Sequence, residues 1–122
     1  MKTIIGVESF AEMKARKSAR AAKLARSERI RPERRVTFEN SLDLLACITP
    51  QRIQLIEAAR QAPQSVSDLA KSLNRHRAAV HRDVKALADH GMLTVERRKN
   101  PGHGQVQVVA ATAEKFTVSA KF

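Results

Sequence analysis

The sequence predicts a mainly α fold with one small antiparallel β-sheet, preceded by a helical arm. Three observations predict it. From Asn40 to His90 the apolar residues recur at spacings of three and four, broken by helix start and stop signals. Beyond Gly91 the period changes to two, and Arg98–Gly104 contains Asn-Pro-Gly-His-Gly, the composition of a hairpin loop. Residues 8–27 lack Gly and Pro and are rich in Ala, Lys, Arg, Glu and Met.

In chain order, the first seven residues read as a short strand around Thr3-Ile4-Ile5. Glu8–Ser27 reads as a helix with a poor apolar face, since only Phe10, Met13 and Leu24 are large. Lys14, Lys17, Arg20, Lys23 and Arg26 recur every three residues, a spacing at which like charges repel on a helix. Such a helix docks weakly through burial and is expected to be ordered by a partner. Glu28–Arg35 is a basic linker broken at Pro32, and Val36-Thr37-Phe38 reads as a short strand. Asn40 or Ser41 caps a short helix over Leu42–Cys47.

Thr49 suits a cap and Pro50 a first helical position, for a helix running to about Arg60. Ile48 and Ile53 are spaced as a hydrophobic staple, and Ile53, Ile56 and Ala59 are expected inside. Ser65-Val66-Ser67-Asp68 resembles a capping box and opens a helix over Val66–Leu73, with Leu69, Ala70 and Leu73 on one face. Asn74 suits a left-handed turn. A longer helix from His76 to His90 has Val80, Val84 and Leu87 as its inward stripe, and Gly91 ends it. Strands follow at Met92–Arg97 and Gln105–Ala110, with a last one at Phe116–Ala120. The expected division is an N-terminal arm over residues 1–35 and a domain over residues 36–122.

Charge narrows the function. The 122 residues hold 23 Lys+Arg against 12 Asp+Glu, a formal net charge of +11. Residues 1–35 carry 11 basic and 4 acidic residues; residues 36–122 carry 12 and 8. This excess calls for an anionic partner. Aromatic residues are 3% of the chain, too few to build stacking platforms for single strands, so duplex DNA is the better fit. No apolar run approaches a bilayer span, and no signal-peptide pattern opens the chain, so a cytoplasmic, nucleoid-associated location without membrane contact is expected. Cys47 is the one cysteine and reads as a small core residue. No nucleophile–base pair, metal-ligand spacing or phosphate-cradling glycine loop is present, so no catalysis, metal or cofactor is expected.

The sequence of short helix, tight turn, longer helix and basic hairpin is the layout of a winged helix-turn-helix. The longer helix would enter the major groove and the hairpin would follow the adjacent backbone or minor groove. Helical spacing puts Arg75, His76, Arg77 and Ala78 at the start of that helix, and His81, Arg82 and Lys85 along its outer side. Ser65 joins them at the start of the preceding helix. The hairpin adds Arg97, Arg98, Lys99 and His103. For any one of these cations a solvated surface is the plainer reading; their grouping on one helix and hairpin points to DNA. On the arm, Phe10, Met13, Lys17, Arg20 and Leu24 are candidate partner contacts.

The stretch from Ser65 to Asn74, the run Val80-His81-Arg82-Asp83-Val84-Lys85-Ala86-Leu87 and Gly91-Met92-Leu93 resemble MarR-like winged-helix regulators. The similarity is closer to a small prokaryotic family of predicted transcriptional regulators, also met as antitoxin-like partners. Three of its features stand here: the "VHRDVKAL" helix at Val80–Leu87, a "TPxR" helix start at Thr49–Arg52 and "RVTFE" at Arg35–Glu39. Arg75 departs from the pattern, which usually has an apolar residue after the turn. The resemblance implies sequence-specific duplex binding as a homodimer that represses a promoter. Its alternative is an antitoxin that neutralises a cognate protein toxin, with the arm as the toxin contact.

Overall fold

The computed structural model describes residues 1–102 and 104–122, and among them five helices accompany six strands. The chain divides into two compact units, residues 1–46 with 115–122, and residues 47–114. The boundary expected after residue 35 thus falls elsewhere, because the strand after the linker and the last strand both pair with the first.

In the first unit, β1 (Lys2–Val7) is the middle strand of a parallel sheet, between β2 (Glu33–Phe38) and β6 (Lys115–Val118). Ile5 lies opposite Val36 on one side and Val118 on the other. Thr3, Ile5 and Val36 are buried on the same face. A parallel pair cannot be closed by a tight turn, so α1 (Phe10–Ala25) serves as the crossover from β1 to β2. This sheet corrects the expectation of a mainly α fold: the protein is mixed α/β. The last strand ends at Val118 rather than Ala120, and β2 begins within the expected linker. The short helix α2 (Ser41–Cys47) follows β2, and its Ser41 Oγ accepts from the Lys121 N–H at 2.9 Å.

The helix α1 is more ordered than its composition suggests. Ser9 Oγ accepts from the Glu12 N–H at 3.1 Å, and the Ser9 N–H reaches the Glu12 carboxylate, completing a capping box. Arg16 donates twice to Glu8, at 2.9 and 3.0 Å. These hydrogen bonds hold the Glu8 carboxyl below the ordinary carboxylate range. Yet no residue of α1 is buried.

The second unit has the order α3 (Pro50–Gln61), β3 (Gln64–Ser65), α4 (Val66–Ser72), α5 (Arg77–Asp89), β4 (Leu93–Asn100), β5 (Gly104–Ala111). Its antiparallel sheet runs β3-β5-β4, and β3 is a two-residue strand that sequence pattern alone does not reveal. This is a winged helix-turn-helix. Thr49 Oγ1 caps α3 by accepting from the Arg52 N–H at 3.2 Å, with Pro50 in the first turn. The buried side of α3 is Leu55, Ile56 and Ala59; Ile53, expected inside, is 42% exposed. Leu69 and Ala70 of α4 are buried where α4 packs on α5, with Val80, Val84 and Leu87 buried opposite. Cys47 is buried, which pushes its thiol pKa up although Arg52 acts in the opposite sense.

Both α4 and α5 end in a Schellman motif. After α4, the Arg75 N–H bonds Ala70 O and the Asn74 N–H bonds Lys71 O, with Asn74 at φ 52°. After α5, the Met92 N–H bonds Leu87 O and the Gly91 N–H bonds Ala88 O, with Gly91 at φ 77°. These left-handed turns end α4 and α5, and β4 begins two residues after Gly91.

Candidate nucleic-acid interface

The inward stripe of α5 contains a charge. Asp83 lies on the same side as Val80, Val84 and Leu87 and is 7% exposed. It accepts from Arg52 Nε of α3 at 3.1 Å and from Arg75 Nη2 at 2.7 Å. Arg52 also donates to Cys47 O at 2.9 Å. One carboxylate thus ties the start of α3, the turn after α4 and the middle of α5. Two guanidiniums against one carboxylate leave an uncompensated positive charge, and Arg75 Nη1 is buried without a partner among the described residues. The Arg75 side chain, assigned to DNA from the sequence, is thus held in an ion pair, which accounts for its departure from the apolar pattern: it serves a charge instead of a core.

His76, Arg77, Ala78, His81, Arg82 and Lys85 are all exposed. His76 is the N-cap residue and makes no side-chain cap bond, so its imidazole does not close the helix start. Beside this start is an open concavity of about 560 Å³ with Lys71, Asn74, Arg75, His76 and Arg77 on its wall. Lys71 is a cation that the sequence reading missed. It sits on α4, outside the helix taken as the reading element. Ser65, assigned to DNA from the sequence, is held at the start of α4. Its Oγ accepts from the Asp68 N–H at 3.1 Å, capping α4, while its backbone pairs with Val108 in the sheet.

The hairpin also differs in detail. Arg98 and Lys99 stand with Arg97 on β4 rather than in a loop, the three lying opposite Val106, Gln105 and Gln107 respectively. Strand alternation then separates them. Arg97 shares a cavity of about 280 Å³ with His81 and Lys85 of α5, over Val84 and Val95. Lys99 is on the same face as Arg97. Arg98 is on the opposite face and pairs with Glu96 at 3.2 Å. The His103 assignment lies outside the described residues.

On the arm, Phe10 is 67% and Leu24 61% exposed, Lys17 is exposed, and Met13 and Arg20 are half-buried. Among the described residues no group of three His, Cys, Asp or Glu side chains could hold a metal ion, and no helix is long and apolar enough to cross a membrane.

A family model, HVO_A0114, matches residues 47–112, more than half of the chain and nearly all of the winged unit. The chain belongs to the HVO_A0114 family. No curated protein matches its sequence. Among solved structures it is similar to a protein of Methanosarcina mazei named "possible transcriptional regulator", with 20% identity, TM-score 0.50, and 55% of this chain and 58% of that chain covered. The chain thus spans little more than half the length of that relative. A homodimeric winged helix-turn-helix DNA-binding domain of Mycobacterium bovis, named a possible ArsR-family regulator, matches at 20% identity and TM-score 0.46, covering 81% of this chain and 72% of that one. Lactococcus lactis ZitR, in a complex with DNA, matches at 15% identity and TM-score 0.49, covering 88% and 68%. At such identity the likeness to the Methanosarcina protein is one of fold. Within that fold, the second unit presents one cationic helix face beside one cationic strand face.

Proposed function

We propose that this HVO_A0114 family member is a transcriptional regulator that binds duplex DNA in a sequence-specific manner. The observation that carries the reading is the concavity where His81 and Lys85 of α5 face Arg97 of β4. In this reading α5 enters the major groove. Arg77 and Arg82 reach base edges, where a guanidinium can bond guanine bidentately, and Ala78 offers a methyl-sized contact. Lys71, Lys85, Arg97 and Lys99 meet phosphates as point charges, and the open start of α5 adds backbone N–H groups and the positive end of its dipole. Asp83, through Arg52 and Arg75, fixes how α5 is presented and touches no DNA itself. The resemblance to MarR-like regulators supports the finer reading of a homodimeric repressor. The folded region that reads DNA is the unit over residues 47–114, narrower than the 36–122 domain expected from sequence.

Titrating a selected duplex tests the reading. Arg77→Ala and Arg82→Ala should each weaken it by ~1–3 kcal/mol and relax preference at one position. Unchanged affinity and preference in both variants would sink the assignment. Exposed Phe10 and Leu24 favour a second reading, an antitoxin whose arm holds a protein toxin. In that case, removing both side chains should release a copurifying partner while leaving DNA binding intact.

A further inference from the structure

The free surface of α1 carries cations on both sides of a narrow face of small side chains. Met13, Arg16 and Arg20 are the half-buried residues of the helix and mark its inner side. At ~100° per residue, Ala11, Ala15, Ser18, Ala22 and Ala25 fall on the opposite side, and all of them are exposed. Lys14 and Lys17 flank that face on one side, and Lys23 and the C-cap residue Arg26 on the other, with Arg26 in an ion pair to Glu28 at 3.0 Å. Glu12, the one acidic side chain of the helix, is folded back on Ser9. Lys14, Lys17, Lys23, Arg29 and Arg31 make no ion pair among the described residues.

We propose that α1, continued by Arg29 and Arg31, is a second contact for duplex DNA. Its small face enters the major groove, and its flanking cations meet the phosphates of the two strands. The chemistry favours this occupant over others. A major groove admits one α-helix and is walled on both sides by phosphate, so it matches cations on two flanks rather than on one stripe. Alanine side chains let the helix backbone approach the groove floor. An apolar protein groove or a membrane surface calls for a continuous stripe of large side chains. Here Phe10 and Leu24 stand ~21 Å apart at opposite ends of the helix. A second copy would set like charges against like.

This inference rests on the duplex reading above, and the test separates the two. The full chain and a Lys14→Ala/Lys17→Ala/Lys23→Ala variant are titrated with a short duplex of arbitrary sequence at several salt concentrations. Alanine is the strongest helix former, so α1 should persist, and far-ultraviolet circular dichroism checks that it does. The slope of log affinity against log salt should fall by ~2.7, or ~0.9 for each lost phosphate contact. A matched variant, Lys2→Ala/Lys115→Ala/Lys121→Ala, should keep the parent slope. Equal losses in both variants would reduce α1 to a share of the general field and overturn the proposal. An unchanged slope would also overturn it, including where the three lysines prove to hold a purified protein partner. If Arg77→Ala/Arg82→Ala weakens binding while the α1 variant matches the parent, only the α1 contact fails. If neither variant changes duplex binding, both readings fail.

Discussion

α1 and α5 are two helices of nearly equal amphipathicity and equal mean hydropathy, and they end in opposite states. α5 buries Val80, Asp83, Val84 and Leu87, whereas α1 buries nothing. The difference is in what occupies the weakly polar side. On α5 it is branched and long aliphatic residues, each able to remove substantial apolar area from water. On α1 it is alanine and serine, whose burial is worth little. A periodic pattern therefore says which side a helix would turn inward; side-chain volume decides whether it does. Both helices carry cations on the remaining surface. Only α5 has a core behind it to hold those cations in one orientation, and that rigidity is what sequence reading requires.

The sharpest way to break this contrast is at the charge beneath α5. Asp83→Ala leaves Arg52 and Arg75 mostly buried and unneutralised, and should cost ~3 kcal/mol in urea unfolding. Stability within experimental error of the parent would remove Asp83 from the account of how α5 is held. Next comes packing. Leu87→Ala, at a fully buried position, should cost ~2–5 kcal/mol. Its counterpart on the arm, Leu24→Ala, should stay within ~0.5 kcal/mol of the parent, and a large cost there would mean that α1 is docked in solution. The smallest effect separates two neighbours on β4. Lys99→Ala should flatten the salt slope by ~0.9, and Arg98→Ala, paired with Glu96 on the other face, should leave it nearly unchanged. The reverse order would mean that the hairpin presents its other face to DNA.

Much of the winged unit is legible from the sequence because its signals are local. Thr49-Pro50, Ser65, Asn74 and Gly91 punctuate the helices, and Val80, Val84 and Leu87 mark the buried side of α5. The parallel sheet is not legible in that way. β1, β2 and β6 are short segments far apart in the chain, and nothing local declares that they pair in parallel. Ile53 was expected inside because a stripe through Ile53, Ile56 and Ala59 is as regular as the true one; the observed face is rotated toward Leu55. Arg98 and Lys99 were expected in a loop because Asn100-Pro101-Gly102 dominates the local composition, yet the ladder runs on to the Asn100–Gly104 pair. Arg52 and Asp83 were missed as a pair, although a signal existed: Asp83 interrupts an otherwise apolar stripe, and a charge in that position needs a partner.

In the proposed function the cationic face of α5, beside β4, reads base sequence. Selection of bound duplexes from a random library, run in parallel with the full chain and its Arg77→Ala/Arg82→Ala variant, tests it most directly. The parent should enrich one sequence, and the variant should lose or relax that preference while keeping salt-dependent binding. The same enriched sequence with the same preference in both proteins, or no enrichment by the parent, would contradict it.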